Sequence, residues 1–184
     1  MTGVERERLA ELLARVDVAA LLSALNRDGE EARIVGGAVR NALLGEPVAD
    51  IDVATTCLPD ATMRRARAAG FKAVPTGVEH GTVTIVIDGA PFEVTTLRRD
   101  VETDGRHAVV AFGRDFREDA LRRDFTINAL GLDAAGTLHD YAEGLADIEK
   151  ANIRFIGDAA ERIAEDYLRI LRFFRFFAHY GRGR

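Results

Sequence analysis

Apolar positions recur first at helical spacing and then at strand spacing. Leu9, Leu12, Leu13, Val16, Ala20 and Leu21 fall on one side of a predicted amphipathic helix over residues 5–27, and Asp28-Gly29 ends it. "ARIVGGAVRNALLG" reads as a short lead-in, a Gly-Gly turn and a helix closed by Gly45. "DIDVATT" has the β-branched content of a strand, and "LPDATMRRARAAG" reads as a helix with Asp60 near its start and Gly70 after it. Three strands are predicted next, "FKAVP", "GTVTIVID" and "APFEVTTL", the last two joined by the hairpin signal Asp88-Gly89. "RRDVETDGRHAVVAFGRD" has weak periodicity and two glycines, which predicts a mobile loop. "FREDALRRDFTINAL" reads as helix, "GLDAAGTLHDY" as a small hairpin around Ala135-Gly136, "LADIEKA" as a short helix, "IRFIG" as a turn, and 158–180 as a final helix. A small, mostly antiparallel sheet with helices on one side is an α+β, or mixed α/β, fold.

Composition narrows the class. With 184 residues, 47% hydrophobic and 30% charged, the chain has the length of one domain, or of one domain with an appendage. No stretch reaches the ~18 uncharged apolar residues of a membrane span. The start, "MTGVERERLAELL", lacks the apolar segment of a secretory signal. A single cysteine, Cys57, excludes a disulfide framework and a cysteine-rich zinc site. A cytosolic protein without a membrane partner is expected. The net charge of −5 is unevenly spread: residues 150–184 hold eight Lys and Arg against four acids, which leaves −9 for residues 1–149. The basic end suits phosphates, and equally a solvated charged surface.

The sharpest chemistry lies in "GGAVRNALLGEPVADIDVAT", residues 36–55. Gly36 and Gly37 open a helix, where backbone can approach an anion and unpaired N–H groups point at it; the same pair also suits an ordinary tight turn. Arg40 follows one helical turn later. Asp50 and Asp52 stand two apart on a predicted strand, so both carboxylates project to one face. Two anions at that spacing invite a cation, and an all-oxygen site suits Mg²⁺, as in two-metal phosphoryl transfer. Glu93 in "PFEVTT" is the natural third carboxylate. Solvent-facing strand carboxylates over a buried Ile51 and Val53 are the plainer alternative.

The final segment, "AEDYLRILRFFRFFAHYGRGR", carries Asp166, Arg169, Arg172 and Arg175 three apart, a slowly turning stripe on one side of a helix. Leu, Ile and Phe fill the rest of the circumference, which predicts a largely buried helix. A guanidinium in such a place needs an anion or a planar polar partner.

"GGAVRNALLG…DIDVATT", "TGVEHGTVTI", "LRRDFTINAL" and "EDYLRILRFFRF", in this order over residues 32–178, resemble the class II tRNA nucleotidyltransferases and bacterial poly(A) polymerases. The resemblance implies an N-terminal helical extension (1–31), a polymerase-β-like nucleotidyltransferase head (32–152) and the start of a helical neck (153–184). It also implies template-independent addition of CMP and AMP, from CTP and ATP, to a tRNA 3′ end. Asp50 and Asp52 would bind Mg²⁺, with Glu93 beside them. Gly36, Gly37, Arg40 and Arg123 would contact the nucleotide, although Arg122-Arg123-Asp124 also suits a surface ion pair with Glu118 or Asp119.

Within "EDxxR", Asp166 would accept from the exocyclic amine of cytosine or adenine while Arg169 donates to ring acceptors. Arg172 and Arg175 would reach the triphosphate or hold that template in place. The flexible loop of the family corresponds to residues 102–116. Family members continue through body and tail, so a truncated form, a natural fragment or one half of a split pair is expected here. The apolar neck helix would then drive self-association or meet a partner chain. Two readings stand beside CCA addition: a poly(A) polymerase or a CC- or A-adding enzyme within the class, and a non-catalytic nucleotide-binding module outside it.

Overall fold

The computed structural model describes residues 1–99 and 111–182. The first helical stretch is two helices, α1 (Gly3–Ala14) and α2 (Val16–Leu25), and not the single helix expected over 5–27. Arg15 leaves the helical region at ψ 129°, and Val16 beside it is 83% exposed. A straight helix of that length would run about 35 Å, as long as a small domain is wide. The bend instead returns Leu9 and Leu12 of α1 and Val18, Leu21, Leu22 and Leu25 of α2 to one core. Thr2 and Glu5 form a reciprocal cap at the start of α1. Residues 1–31, read as an extension, thus share their apolar face with the sheet.

That sheet comprises β1 (Ala32–Val35), β2 (Ile51–Thr55), β3 (Lys72–Gly77), β4 (Thr82–Ile87), β5 (Ala90–Thr96), β8 (Leu130–Leu132) and β9 (Leu138–Asp140), in the order β3-β4-β5-β2-β1-β8-β9. All neighbours are antiparallel except β2 and β5, which run parallel. Alternation fixes the faces. Ile51 and Val53 of β2, Val83, Ile85 and Ile87 of β4, and Phe92 and Val94 of β5 point into the main core. Asp52, Thr82, Thr84, Glu93 and Thr95 take the opposite face. The core face is covered by α1, α2, α3 (Gly37–Leu44) and α4 (Pro59–Ala68). Burying one such aliphatic side chain contributes about 1.5–3 kcal/mol. On the other face α5 (Phe116–Leu121) lays Phe116 against Val35, Ala54 and Leu97.

Two further expected helices are broken. "FREDALRRDFTINAL" is helical only through α5. Asp124 then accepts from the Phe125 N–H (2.9 Å) and from Asn128 Nδ2 (3.3 Å), so a side chain takes over backbone pairing and the chain turns into a 3-10 segment, Thr126–Asn128. The stretch 158–180 divides into α7 (Ala159–Glu165) and α8 (Leu168–Tyr180) at Asp166, whose backbone is extended at φ −155° and ψ 105°. Its Oδ1 accepts from the Leu168 N–H at 2.9 Å, an N-terminal cap for the second helix.

Nor is α8 buried all round. Phe173, Phe176 and Tyr180 dock on Phe125, Ile127, Ile153 and Phe155, while Leu171 (68%) and Phe174 (63%) face outward. The loop expected over 98–115 is paired at its base, where β6 (Arg98–Arg99) meets β7 (Ala111–Phe112). Residues 102–110 of the expected flexible loop lie outside the described residues. The remaining helix, α6 (Gly144–Glu149), is joined to the 3-10 segment by Thr126, which donates to Asp147 at 2.6 Å.

Candidate functional site

The register of the first strands assembles the site. β1 pairs with β2 so that Val35 lies opposite Asp52, which sets the Gly36-Gly37 turn beside that carboxylate. Gly36 adopts φ 70° and ψ −127°, and its N–H donates to the Leu130 carbonyl at 3.0 Å. A Cβ there would stand 3.0 Å from Arg123 Nη1. Gly36→Ala is therefore expected to lower stability by about 1–3 kcal/mol, the cost of holding an L residue in so sparse a region. It should also displace Arg123. Urea unfolding measures the first effect and nucleotide affinity the second.

The parallel pairing of β2 with β5 sets Asp52 directly opposite Glu93. Both side chains leave the same face, and Asp50 precedes β2 by one residue. Asp52 has the accessible surface of an exposed residue because the cleft is open, yet protein mass crowds it from below. Burial first, and then the charges of Glu93 and Asp50, push its carboxyl above the ordinary range, opposed by Arg123. Such mutual repulsion marks a place for a cation. Of the three carboxylates, Asp52 lines the main cleft, while Asp50 and Glu93 do not. Among the described residues no group of three or more His, Cys, Asp or Glu converges to hold a metal ion.

That cleft, of about 1020 Å³, lies between the Gly36-Gly37 turn, the segment after α5 and one side of α8. Gly36, Gly37, Arg40, Arg123, Asp166, Arg169, Arg172 and Arg175 all border it. Their engagements differ. Arg123 makes long contacts, 3.4 Å each, to Asp119 and to the Asn128 carbonyl. Arg169 donates through Nη1 to the Arg162 carbonyl (2.8 Å) and to Glu165 (2.5 Å). Its Nε and Nη2 have no protein partner among the described residues. Arg172 donates to Asp124 at 2.6 Å, which ties α8 to the turn after α5. Arg175 has no hydrogen bond among the described residues, and its guanidinium stands 5.2 Å from the Phe176 ring centroid. Asp166 spends one oxygen on capping α8.

Arg40 is the outlier, at 7% exposure. It donates to Asn128 and Asn41, and to the Tyr180 hydroxyl at 3.0 Å. Burial depresses its basicity, only partly offset by the Tyr180 hydroxyl. Asn128 and Tyr180 carry no site role in the sequence reading, and Asp124 enters it only within a surface ion pair. The Asp and Asn of "RRDFTIN" lie inside a quoted motif and stand out as polar residues within an apolar run, whereas Tyr180 reads only as one more aromatic of the last helix.

The family model described as "Poly A polymerase head domain" matches residues 32–154. The chain belongs to this family. It is 50% identical over 148 residues to the CCA tRNA nucleotidyltransferase 1, mitochondrial, of Danio rerio, across 80% of this chain and 34% of that protein. Among solved structures of the same kind is the Bacillus stearothermophilus CCA-adding enzyme in complex with CTP, at a TM-score of 0.78 and 38% identity, over 96% of this chain and 40% of that one. Another is a tRNA nucleotidyltransferase complexed with a primer tRNA and an incoming ATP analog, at a TM-score of 0.71 and 32% identity, over 89% and 46%. This head-domain chain therefore spans about a third to a half of the proteins it matches. The resemblance and the α+β fold read from the motifs are both borne out. No helix among the described residues is long and apolar enough to cross a membrane.

Proposed function

We propose that this chain is the nucleotide-binding and catalytic portion of a template-independent RNA nucleotidyltransferase that adds CMP and AMP, from CTP and ATP, to a tRNA 3′ end. One observation carries the reading. Asp52 of β2, paired opposite Glu93 of β5, borders the same cleft as Asp166, just before α8, and Arg169 on its first turn. The relatives named above, one holding CTP and another a primer tRNA with an ATP analog, support it.

In this reading Asp50 and Asp52 hold Mg²⁺, and their all-oxygen, mutually repelling donor set fits a hard cation. Bound there, such an ion would supply charge neutralisation at the reacting phosphate and acidify an attacking hydroxyl. Arg123 and Arg175 attract the triphosphate, the Gly36-Gly37 turn lets backbone approach it, and Arg172 steadies α8 through Asp124. Asp166 accepts from the base amine while the unengaged nitrogens of Arg169 donate to ring acceptors. Cytosine and adenine carry that amine, whereas uracil and guanine present a carbonyl. We place the protein in the cytosol, consistent with a single cysteine that is free and buried.

Calorimetric titration of the chain with each nucleotide in Mg²⁺ tests the reading. CTP and ATP should bind at least about tenfold more tightly than UTP and GTP, on the scale of one hydrogen bond made or left unmade. Equal binding of all four, or none, overturns it.

We also propose that the outward side of α8 is an association surface, because Leu171 and Phe174 stand side by side and exposed. Sedimentation should show concentration-dependent self-association or dye binding, both lost in Leu171→Glu/Phe174→Glu. A wild-type chain that stays monomeric and binds no dye refutes this.

A further inference from the structure

Tyr180, on the last turn of α8, meets α3 across the cleft. Its hydroxyl accepts from Arg40 Nη2 at 3.0 Å and donates to Asn41 Oδ1 at 3.2 Å. Asn41 Oδ1 also accepts from Arg40 Nε (3.2 Å) and Nη2 (2.9 Å), which closes a triangle of three side chains. The Arg40 guanidinium carbon lies 4.4 Å from the Tyr180 ring centroid and 5.2 Å from that of Phe176, so α8 also supplies it with aromatic faces.

Two branches leave the triangle, and each reaches a part of the candidate site. Arg40 Nη1 donates to Asn128, whose Nδ2 in turn donates to Asp124, the partner of Arg172. Asn41 Nδ2 donates to the Pro47 carbonyl at 2.9 Å, in the loop that leads to Asp50. The backbone N–H of Arg40 separately donates to the Gly36 carbonyl at 3.1 Å, the first-turn bond of α3. Arg40 thus has most of its five donors committed to protein groups, and one of those groups is borne by the same helix that carries Arg169.

We infer that Tyr180 is a positioning residue: acting through Arg40 and Asn41, it fixes the separation between the base-reading side on α8 and the phosphate and carboxylate side on α3 and its following loop. The inference rests on the nucleotide reading above and deepens it. A cleft whose two walls are locked this way presents base and triphosphate contacts at one spacing, so binding does not have to order them. Without the hydroxyl, the aromatic contact remains while the polar link between the walls is lost.

Tyr180→Phe keeps the ring and its packing, so the variant folds. Mg²⁺-CTP affinity should fall about fivefold to tenfold, the scale of one hydrogen bond to a charged group shared among partners. In an Arg40→Lys background the same change should cost less than about twofold, because coupled residues are not additive. The chain has three tyrosines and no tryptophan, so ring-labelled tyrosine gives three assignable NMR signals, and Tyr180→Phe identifies one. That signal should shift on Mg²⁺-CTP addition in the wild type and much less in Arg40→Lys. Wild-type affinity in Tyr180→Phe, or additive effects in the double variant, overturns the inference while leaving the nucleotide reading intact. A lowered melting temperature with unchanged affinity shows only a structural role and overturns it too. Failure of the wild-type chain to bind Mg²⁺-CTP overturns both.

Discussion

Asp52→Asn is expected to reduce Mg²⁺-dependent nucleotide incorporation by about 10³-fold. Metal stabilisation of transition-state charge is worth several kcal/mol, and each ~1.4 kcal/mol is a factor of ten in rate. The same substitution should not destabilise the fold when Mg²⁺ is absent. Asp52 is crowded from below and faces Glu93 across the β2–β5 pairing, with Asp50 close by. A carboxylate whose pKa is raised by folding contributes stability below its ordinary range and loses it as pH rises through the folded value. At neutral pH the charged form is therefore a liability, and the amide removes it. Calorimetric melting should give an unchanged or higher midpoint for Asp52→Asn, together with lost incorporation. A variant that incorporates within a few-fold of wild type removes the metal assignment. Asp50→Asn should behave alike in activity, and Glu93→Gln should also be severe.

Asp166 should decide which base is accepted. One of its oxygens caps α8 through the Leu168 N–H, and the other is left without a protein partner among the described residues. Asp166 is exposed in the open cleft, and a base that covers it without donating leaves the carboxylate unmet, at a cost of ~1–3 kcal/mol. Asp166→Ala should therefore lower the ratio of CTP to UTP affinity by about one to two orders of magnitude, at ~1.4 kcal/mol for each factor of ten. It should also lose about 1 kcal/mol of stability with the cap. Asp166→Asn separates the two effects: its carbonyl keeps the cap, while its amide donates to a base carbonyl and should favour UTP. Arg172→Ala makes the control, since its partner is Asp124 and it should weaken all four nucleotides alike. Equal loss for CTP and UTP in Asp166→Ala would leave the stripe as a charged seam between α8 and its neighbours.

Part of the cleft lining could be read from the chain, where residues belong to a short motif whose spacing is local. Gly36, Gly37 and Arg40 share one helix start, and Asp166, Arg169, Arg172 and Arg175 follow a three-residue spacing into and along α8. Partners distant in sequence were not legible. Arg40 is buried by Asn128 and Tyr180, 88 and 140 residues away, so its spacing after Gly-Gly said nothing of its engagement. The helix breaks at Asp124 and Asp166 escaped for a related reason. An aspartate inside a helical pattern is counted as a mild penalty until its side chain is seen bonding to a nearby N–H. On α8, periodicity cannot tell which apolar side finds a neighbour; Phe173 and Phe176 do, and Leu171 and Phe174 face outward. The parallel β2–β5 pairing was likewise hidden, since alternation reports a strand's faces and not the direction of its partner.

That pairing has a consequence for the order of folding. Between Asp52 and Glu93 the chain must first run through α4, β3 and β4, and a parallel neighbour cannot be reached by a tight turn. β4 and β5 can close early as a hairpin, whereas docking β2 against β5 carries the loop-closure entropy of everything in between. The two like charges are therefore expected to meet after the threonine-bearing hairpin has closed, an order that pulse-labelled amide exchange during refolding would show as protection of β4 and β5 before β2.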